Sequence, residues 1–377
     1  MTPRRYAVVA GGGTGGHVLP ALAVARALVA LGHDPSSIEF VGSRRGQEAT
    51  LLAGEGFPLT LLGGRGLSRH LGARDLVANL AALGGLAWSV ARALVVLTRL
   101  RPRVVVAVGG YASFPAGAAA VLLRVPLVLV NVDAVPGRVN RLLGRFAAAA
   151  AVSLPGTPLP RATVTGTPVR DELASVDRDP AAVGAARRQL GLPVDRPTVG
   201  VFGGSLGAHC LNEAVAGLVK GWADRDDRAL YHVTGRRDWD ELSVRAGREA
   251  TIVGGLSYTM VPFEERMALL YAAVDVMVCR AGAITVAELA VTGVPSVLVP
   301  LPNAPGDHQT ANARALVDRG AAVLVPDGQC DGPRLQTVLD RLLADPAGRA
   351  AMAAAASGLG HPDAAQRVAE LVVAHAR

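Results

Sequence analysis

Short apolar runs rich in β-branched residues recur along this chain, separated by stretches whose apolar residues repeat every three or four positions. The runs Tyr6–Ala10, Ile38–Val41, Val104–Val108, Leu127–Val130 and Ala149–Ser153 read as strands, and Pro20–Leu31 and Gln47–Gly54 read as helices. The rhythm resumes at Thr198–Phe202, Leu230–Thr234, Thr251–Val253, Val274–Val278, Ser296–Val299 and Ala322–Val325. Helices are expected there over Leu211–Lys220, Glu265–Ala273, Ile284–Thr292 and His308–Arg319. Strand and helix in alternation make a parallel sheet, so the expected class is α/β with two doubly wound, Rossmann-like domains. Proline and glycine cluster at Leu154–Pro160 and Gly166–Pro168, where the connection falls. The first domain is placed at 1–165 and the second at 166–357, with a terminal helix in 358–377 packing back on the first.

Two glycine-rich loops punctuate this pattern. Gly11-Gly12-Gly13-Thr14-Gly15-Gly16-His17 follows the first run, and Gly203-Gly204-Ser205-Leu206-Gly207-Ala208 follows Thr198–Phe202. A strand, a glycine turn and a helix N-terminus form an anion site, because backbone N–H groups and the helix dipole converge there. Its occurrence in both halves implies two domains facing a cleft, suited to phosphates from two substrates. A dinucleotide-binding oxidoreductase would show the first loop too, but it would carry an acid at the end of the second strand. Here Phe40-Val41 runs into Gly42-Ser43-Arg44-Arg45.

Charge changes the picture more than composition does. Residues 1–170 hold 18 arginines against 6 acidic residues, whereas 171–377 hold 20 basic against 25 acidic ones. A basic first half implies an anionic partner or a solvated arginine-rich surface. Basic residues are not interleaved with aromatic ones, which argues against nucleic acid and for an anionic membrane or a phosphorylated lipid. Cys210, Cys279 and Cys330 lie far apart without metal-ligand spacing, as in a reduced cytoplasmic protein. The chain enters a strand directly after Arg4-Arg5, so no signal peptide is expected.

Several segments in order carry a closer resemblance: GGGTGGHVLP at Gly11–Pro20, GGYASFP at Gly109–Pro115, DAVPGRVN at Asp133–Asn140 and GTPVR at Gly166–Arg170. GGSLGAHCLN at Gly203–Asn212, RAGAITVAE at Arg280–Glu288 and HQTANA at His308–Ala313 follow. Together they resemble the MurG family, peripheral membrane enzymes that transfer N-acetylglucosamine from UDP-GlcNAc to a muramoyl-peptide undecaprenyl diphosphate. The resemblance implies a GT-B fold, with the acceptor on the first domain and the nucleotide sugar mainly on the second. It implies that Thr14, Gly15, Gly16, Asp133, Arg170, Ser205, Glu264, Ala283, Ile284, Thr285, Val286, Ala287, Glu288, His308, Gln309 and Asn312 meet UDP-GlcNAc. Gly13, His17, Gly109, Gly110 and Tyr111 are implied for the acceptor diphosphate.

The chemistry of these side chains is consistent with those roles. Glu288 can accept two hydrogen bonds from a ribose diol, although the same residue also reads as an exposed helix acid. A guanidinium at Arg170 can neutralise a departing diphosphate without a metal. No metal or other cofactor is therefore expected. Gln309 and Asn312 either read sugar hydroxyls or cap a helix. His17 opens a helix, where the dipole favours neutral imidazole, and is read as a base or as a phosphate and loop residue.

One stretch departs from the family pattern. Val130 and Asn131 stand where the family usually carries a His-Glu pair, leaving Asp133 as the only acid between Asp75 and Asp171. Asp133 reads as a second candidate for the catalytic proton acceptor or as a turn residue. The open alternatives are therefore a related transferase with another acceptor or UDP-sugar, and a non-catalytic nucleotide-sugar-binding relative. Leu76, Leu80, Leu83, Ala87 and Val90 form a helical stripe beside Trp88, flanked by Arg69 and Arg74. It reads as core or as a monotopic membrane contact, and the resemblance places the protein on the cytoplasmic face of the membrane.

Overall fold

The computed structural model describes residues 4–44, 46–63, 73–204, 207–245 and 252–377. Two compact units emerge: residues 1–170 together with 363–377, and residues 171–362.

The first unit carries seven parallel strands: β1 (Ala7–Ala10), β2 (Ile38–Ser43), β3 (Leu59–Leu62), β4 (Val104–Ala107), β5 (Leu127–Asn131), β6 (Ala149–Val152) and β7 (Ala162–Val164). They lie in the order β3-β2-β1-β4-β5-β6-β7, with Ala7 level with Ile38 on one side and Val104 on the other. Every residue of β1 and β4 is fully buried. Helices cover both faces of such a sheet, so its central strands read as unbroken apolar runs rather than alternating ones.

The helix Gly15–Ala30 begins five residues earlier than the periodicity implied, with Pro20 inside it. Thr14 is extended and serves as its N-cap. Proline lacks one N–H, so the helix forgoes one bond in its second turn and gains a start directly on the glycine loop. The terminal helix Ala364–His375 buries Val368, Ala369 and Val372 in this unit, and Arg367 Nη2 donates to the Val164 carbonyl at 2.7 Å.

The long helix Ala73–Leu100 buries Ala93, Leu97 and Leu100. Its opposite face is exposed at Trp88, Arg92, Val95 and Arg99. Arg69 lies outside the described residues, as do the side chains of Arg74, Leu76, Leu80 and Leu83. Among the described residues, no helix is long and apolar enough to cross a membrane.

The second unit repeats the design with β8 (Thr198–Phe202), β9 (Ala229–Val233), β10 (Ile252–Val253), β11 (Leu256–Val261), β12 (Val276–Cys279), β13 (Ser296–Leu298) and β14 (Ala322–Leu324). Their order is β10-β11-β9-β8-β12-β13-β14, and only the edge strand β10 is antiparallel to its neighbour. Side chains alternate between two cores. Val199, Val201, Val276 and Val278 go to one face, while Phe202, Met277 and Cys279 go to the other.

Candidate functional site

In each sheet the chain steps outward from its first strand and then crosses back to that strand's other side, at β1/β4 and at β8/β12. Loops diverge at such a switch point, and the carboxyl ends of the strands there frame a ligand crevice. Both glycine loops stand at these points.

In the first unit, the loops after β1 and β4 meet at His17. The imidazole lies over Gly109 and Gly110. A Cβ at Gly109 would sit 3.1 Å from His17 Cδ2, and one at Gly110 would sit 3.4 Å from Nδ1. Both glycines also hold positive φ, +95° and +71°. The His17 ring and the Gly109-Gly110 backbone therefore define one another's place. Thr14 Oγ1 is 3.4 Å from His17 Nδ1. Gly13 turns its N–H inward to Glu48 Oε1 at 3.2 Å, and the Tyr111 hydroxyl lies 3.0 Å from that of Ser43.

After β5, Asn131 is buried. Its Nδ2 donates to the Asp133 carbonyl at 2.7 Å, while its Oδ1 accepts from Asn140 Nδ2 at 3.1 Å. This asparagine therefore fixes the 131–140 loop. Asp133 itself is half-buried on that loop. Glu48, Ser43 and Asn140 were not singled out from the sequence; an acid flanked by Gly42 and Gly46 was the available signal for the first of them.

In the second unit, Gly203, Gly204 and Gly207 lead to the helix His209–Gly221, and Ser205 lies outside the described residues. A side chain at Gly207 would run into the Thr234 carbonyl. Below the loop, Asn212 Nδ2 donates to the Thr234 carbonyl at 3.0 Å and to Asp238 Oδ2 at 2.8 Å. Asn212 Oδ1 meets His232 Nε2 at 3.0 Å, and His232 Nδ1 meets the Tyr258 hydroxyl at 3.0 Å. Burial drives the His232 pKa down to about 3.

After β12, Gly282 caps the helix Ala283–Thr292. Ala283, Ile284, Thr285 and Ala287 are half-buried, whereas Val286 packs into the core. Glu288 is 6% exposed, not an exposed helix acid, and its Oε2 accepts from the Tyr271 hydroxyl at 2.9 Å. Asn312 is buried and donates to the Ala281 carbonyl at 3.2 Å, tying the helix His308–Val317 to this loop. Gln309 Oε1 accepts from the Leu301 N–H at 2.9 Å, and the His308 ring nitrogen Nδ1 lies 2.9 Å from the Pro305 carbonyl.

Arg280 Nη1 reaches Asp327 Oδ1 at 2.5 Å and the Val299 and Pro300 carbonyls at 3.2 Å. Glu264 is held by the Tyr231 hydroxyl and by the Arg266 backbone N–H. Burial pushes its carboxyl up, but the hydrogen bonds from Arg266 and Tyr231 outweigh this and hold it below the usual range. Arg170, half-buried, ends the 1–170 segment of the first unit.

Residues 7–152 match the glycosyltransferase family 28 N-terminal domain, and residues 198–368 match the family's C-terminal domain. Two relatives carry the name UDP-N-acetylglucosamine–N-acetylmuramyl-(pentapeptide) pyrophosphoryl-undecaprenol N-acetylglucosamine transferase. The one from Alkalilimnicola ehrlichii is 42% identical over 98% of this chain and 99% of its own. The one from Desulforudis audaxviator is 37% identical over 97% of each chain. The crystal structure of Acinetobacter baumannii MurG superposes with a TM-score of 0.74 at 29% identity, covering 98% of this chain and 99% of that one.

Proposed function

The chain belongs to glycosyltransferase family 28 and, within it, to the MurG enzymes, and from that premise we propose how its residues share the reaction. The enzyme transfers N-acetylglucosamine from UDP-GlcNAc to the muramoyl-peptide undecaprenyl diphosphate, lipid I, giving lipid II. Near full-length identity to enzymes of that name carries the assignment. A glycine loop at each sheet's switch point supports it, since donor and acceptor each bring a diphosphate.

In our reading the second unit takes the donor. Glu288 accepts from the ribose diol, with Tyr271 fixing the carboxylate's orientation. Ser205 and the neighbouring amides take the diphosphate. Gln309 meets the sugar, and Asn312 holds the loop that presents the nucleoside site. Gly13, Gly109, Gly110 and Tyr111 of the first unit shape the acceptor diphosphate site around His17.

The acceptor hydroxyl oxygen attacks the anomeric carbon and the bond to the UDP oxygen breaks, with inversion. The electron pair leaves with UDP, and the hydroxyl proton passes to His17, with Asp133 as the second candidate. We place the enzyme at the cytoplasmic face of the membrane, with the Trp88–Arg92–Val95–Arg99 face of the long helix toward anionic lipid.

UDP release with UDP-GlcNAc and a soluble short-chain lipid I analogue tests the assignment of the base. His17→Ala is expected to abolish acceptor-dependent release while UDP still binds. Full release in His17→Ala, together with its loss in Asp133→Asn, would move the base to Asp133.

A further inference from the structure

We propose that Glu48 is a positioning residue of the acceptor site, whose single buried carboxylate sets the loops after β1, β2 and β4 against one another. This rests on the reading that those loops take the acceptor diphosphate. Glu48 opens the short helix Glu48–Leu51 and is 1% exposed. Its Oε1 accepts the Gly13 N–H at 3.2 Å and the Ser43 N–H at 2.7 Å, one from the loop after β1 and one from the end of β2. The Ser43 hydroxyl meets the Tyr111 hydroxyl from the loop after β4. The Tyr111 ring returns to the start, because a Cβ at Gly13 would lie 3.3 Å from its Cε1. Gly13, Glu48, Ser43 and Tyr111 thus close a ring.

The sequence makes room for this carboxylate three times over. A side chain at Gly12, Gly42 or Gly46 would collide with Glu48 itself. Glu48 Oε2 is buried without a hydrogen-bond partner among the described residues. A half-satisfied buried carboxylate costs folding energy that an apolar residue would not. What it supplies, and an apolar residue lacks, is a hold on the Gly13 N–H, which keeps Gly13 at φ +93° and commits its amide to the protein. Gly13 therefore contributes loop shape to the diphosphate site, not a donor.

Steady-state kinetics of the full chain with UDP-GlcNAc and the soluble lipid I analogue, plus UDP calorimetry, test this. Glu48→Ala is expected to raise the acceptor KM about tenfold while donor KM and UDP Kd stay within about twofold. Glu48→Gln keeps an oxygen for both N–H groups and should recover most of that loss. An unchanged acceptor KM in Glu48→Ala overturns the proposal. So does an equal rise in both KM values, which would show no particular action of Glu48 on the acceptor site.

Should Glu48→Ala fail to fold, Tyr111→Phe opens the ring without disturbing a buried charge. It should raise the acceptor KM alone, and no change there overturns the proposal. Gly109→Ala separates the two levels of the argument. If it spares the acceptor KM, the site reading itself fails; if it raises the KM and Glu48→Ala does not, only the role of Glu48 fails.

Discussion

Below pH 6.5 the second unit should lose stability through one buried imidazole, His232. Its environment dictates its protonation. Asn212 gives both amide hydrogens to Thr234 and Asp238, so it turns its oxygen to His232 Nε2, which must carry the proton. Nδ1 is left as acceptor for the Tyr258 hydroxyl. A second proton would put a charge on a fully buried ring, and burial holds the pKa at about 3. The unfolded chain protonates this residue near 6.5, so it binds a proton that the native state does not. Stability contributed by neutral His232 is therefore complete above pH 6.5 and is lost as pH falls toward 3. The slope approaches about 1.4 kcal/mol per pH unit, and the loss at pH 4.5 is about 3 kcal/mol.

Urea unfolding of the full chain at pH 8 and pH 4.5 measures this. Fluorescence suits the second unit, because Trp222 is fully buried there while Trp88 of the first unit is 65% exposed. His232→Gln removes the titration; it should be less stable at pH 8 yet lose less between pH 8 and 4.5 by about the amount above. Other titrating groups act in both proteins and cancel in the difference. Parallel losses in wild type and variant would refute the reasoning.

Three further outcomes are expected. Tyr271→Phe removes the hydroxyl on Glu288 and should raise the KM for UDP-GlcNAc about tenfold with little change in kcat, as a donor-titration series would show; an unchanged KM would detach Glu288 from donor binding. The proposed transfer needs no metal, so UDP release should persist in excess EDTA, and loss restored by magnesium would contradict it. Trp88→Ser combined with Arg92→Glu should reduce co-sedimentation with anionic vesicles while leaving turnover of a soluble acceptor intact, and unchanged co-sedimentation would remove that helix face from the membrane contact.

The α/β class was legible because central parallel strands such as β1 and β4 are buried on both faces and cannot hide their apolar runs. The edge strands β3 and β7 escaped notice. Leu59–Leu62 is mostly half-buried and Ala162–Val164 is partly exposed, so neither needs a strong apolar signature. Strand β11 mixes Ser257 and Thr259 with apolar residues and was missed for the same reason.

At the site, glycine advertised itself: loops that approach an imidazole or a carbonyl leave no room for Cβ. Partnerships distant in sequence did not show. Tyr271 with Glu288, and Asn212 with His232, depend on strands brought together by the sheet. Nothing local distinguishes such an acid or histidine from a solvated one.

The central claim is transfer of N-acetylglucosamine to lipid I. The most direct measurement incubates the full chain with UDP-GlcNAc and the soluble muramoyl-pentapeptide diphosphate analogue, then analyses the acceptor by mass spectrometry and proton NMR. The account predicts a gain of one N-acetylhexosamine on the muramoyl sugar in β linkage, the inverted configuration. An unmodified acceptor, with UDP-GlcNAc still bound, would contradict it and place the specificity of the Asn131–Asn140 loop elsewhere.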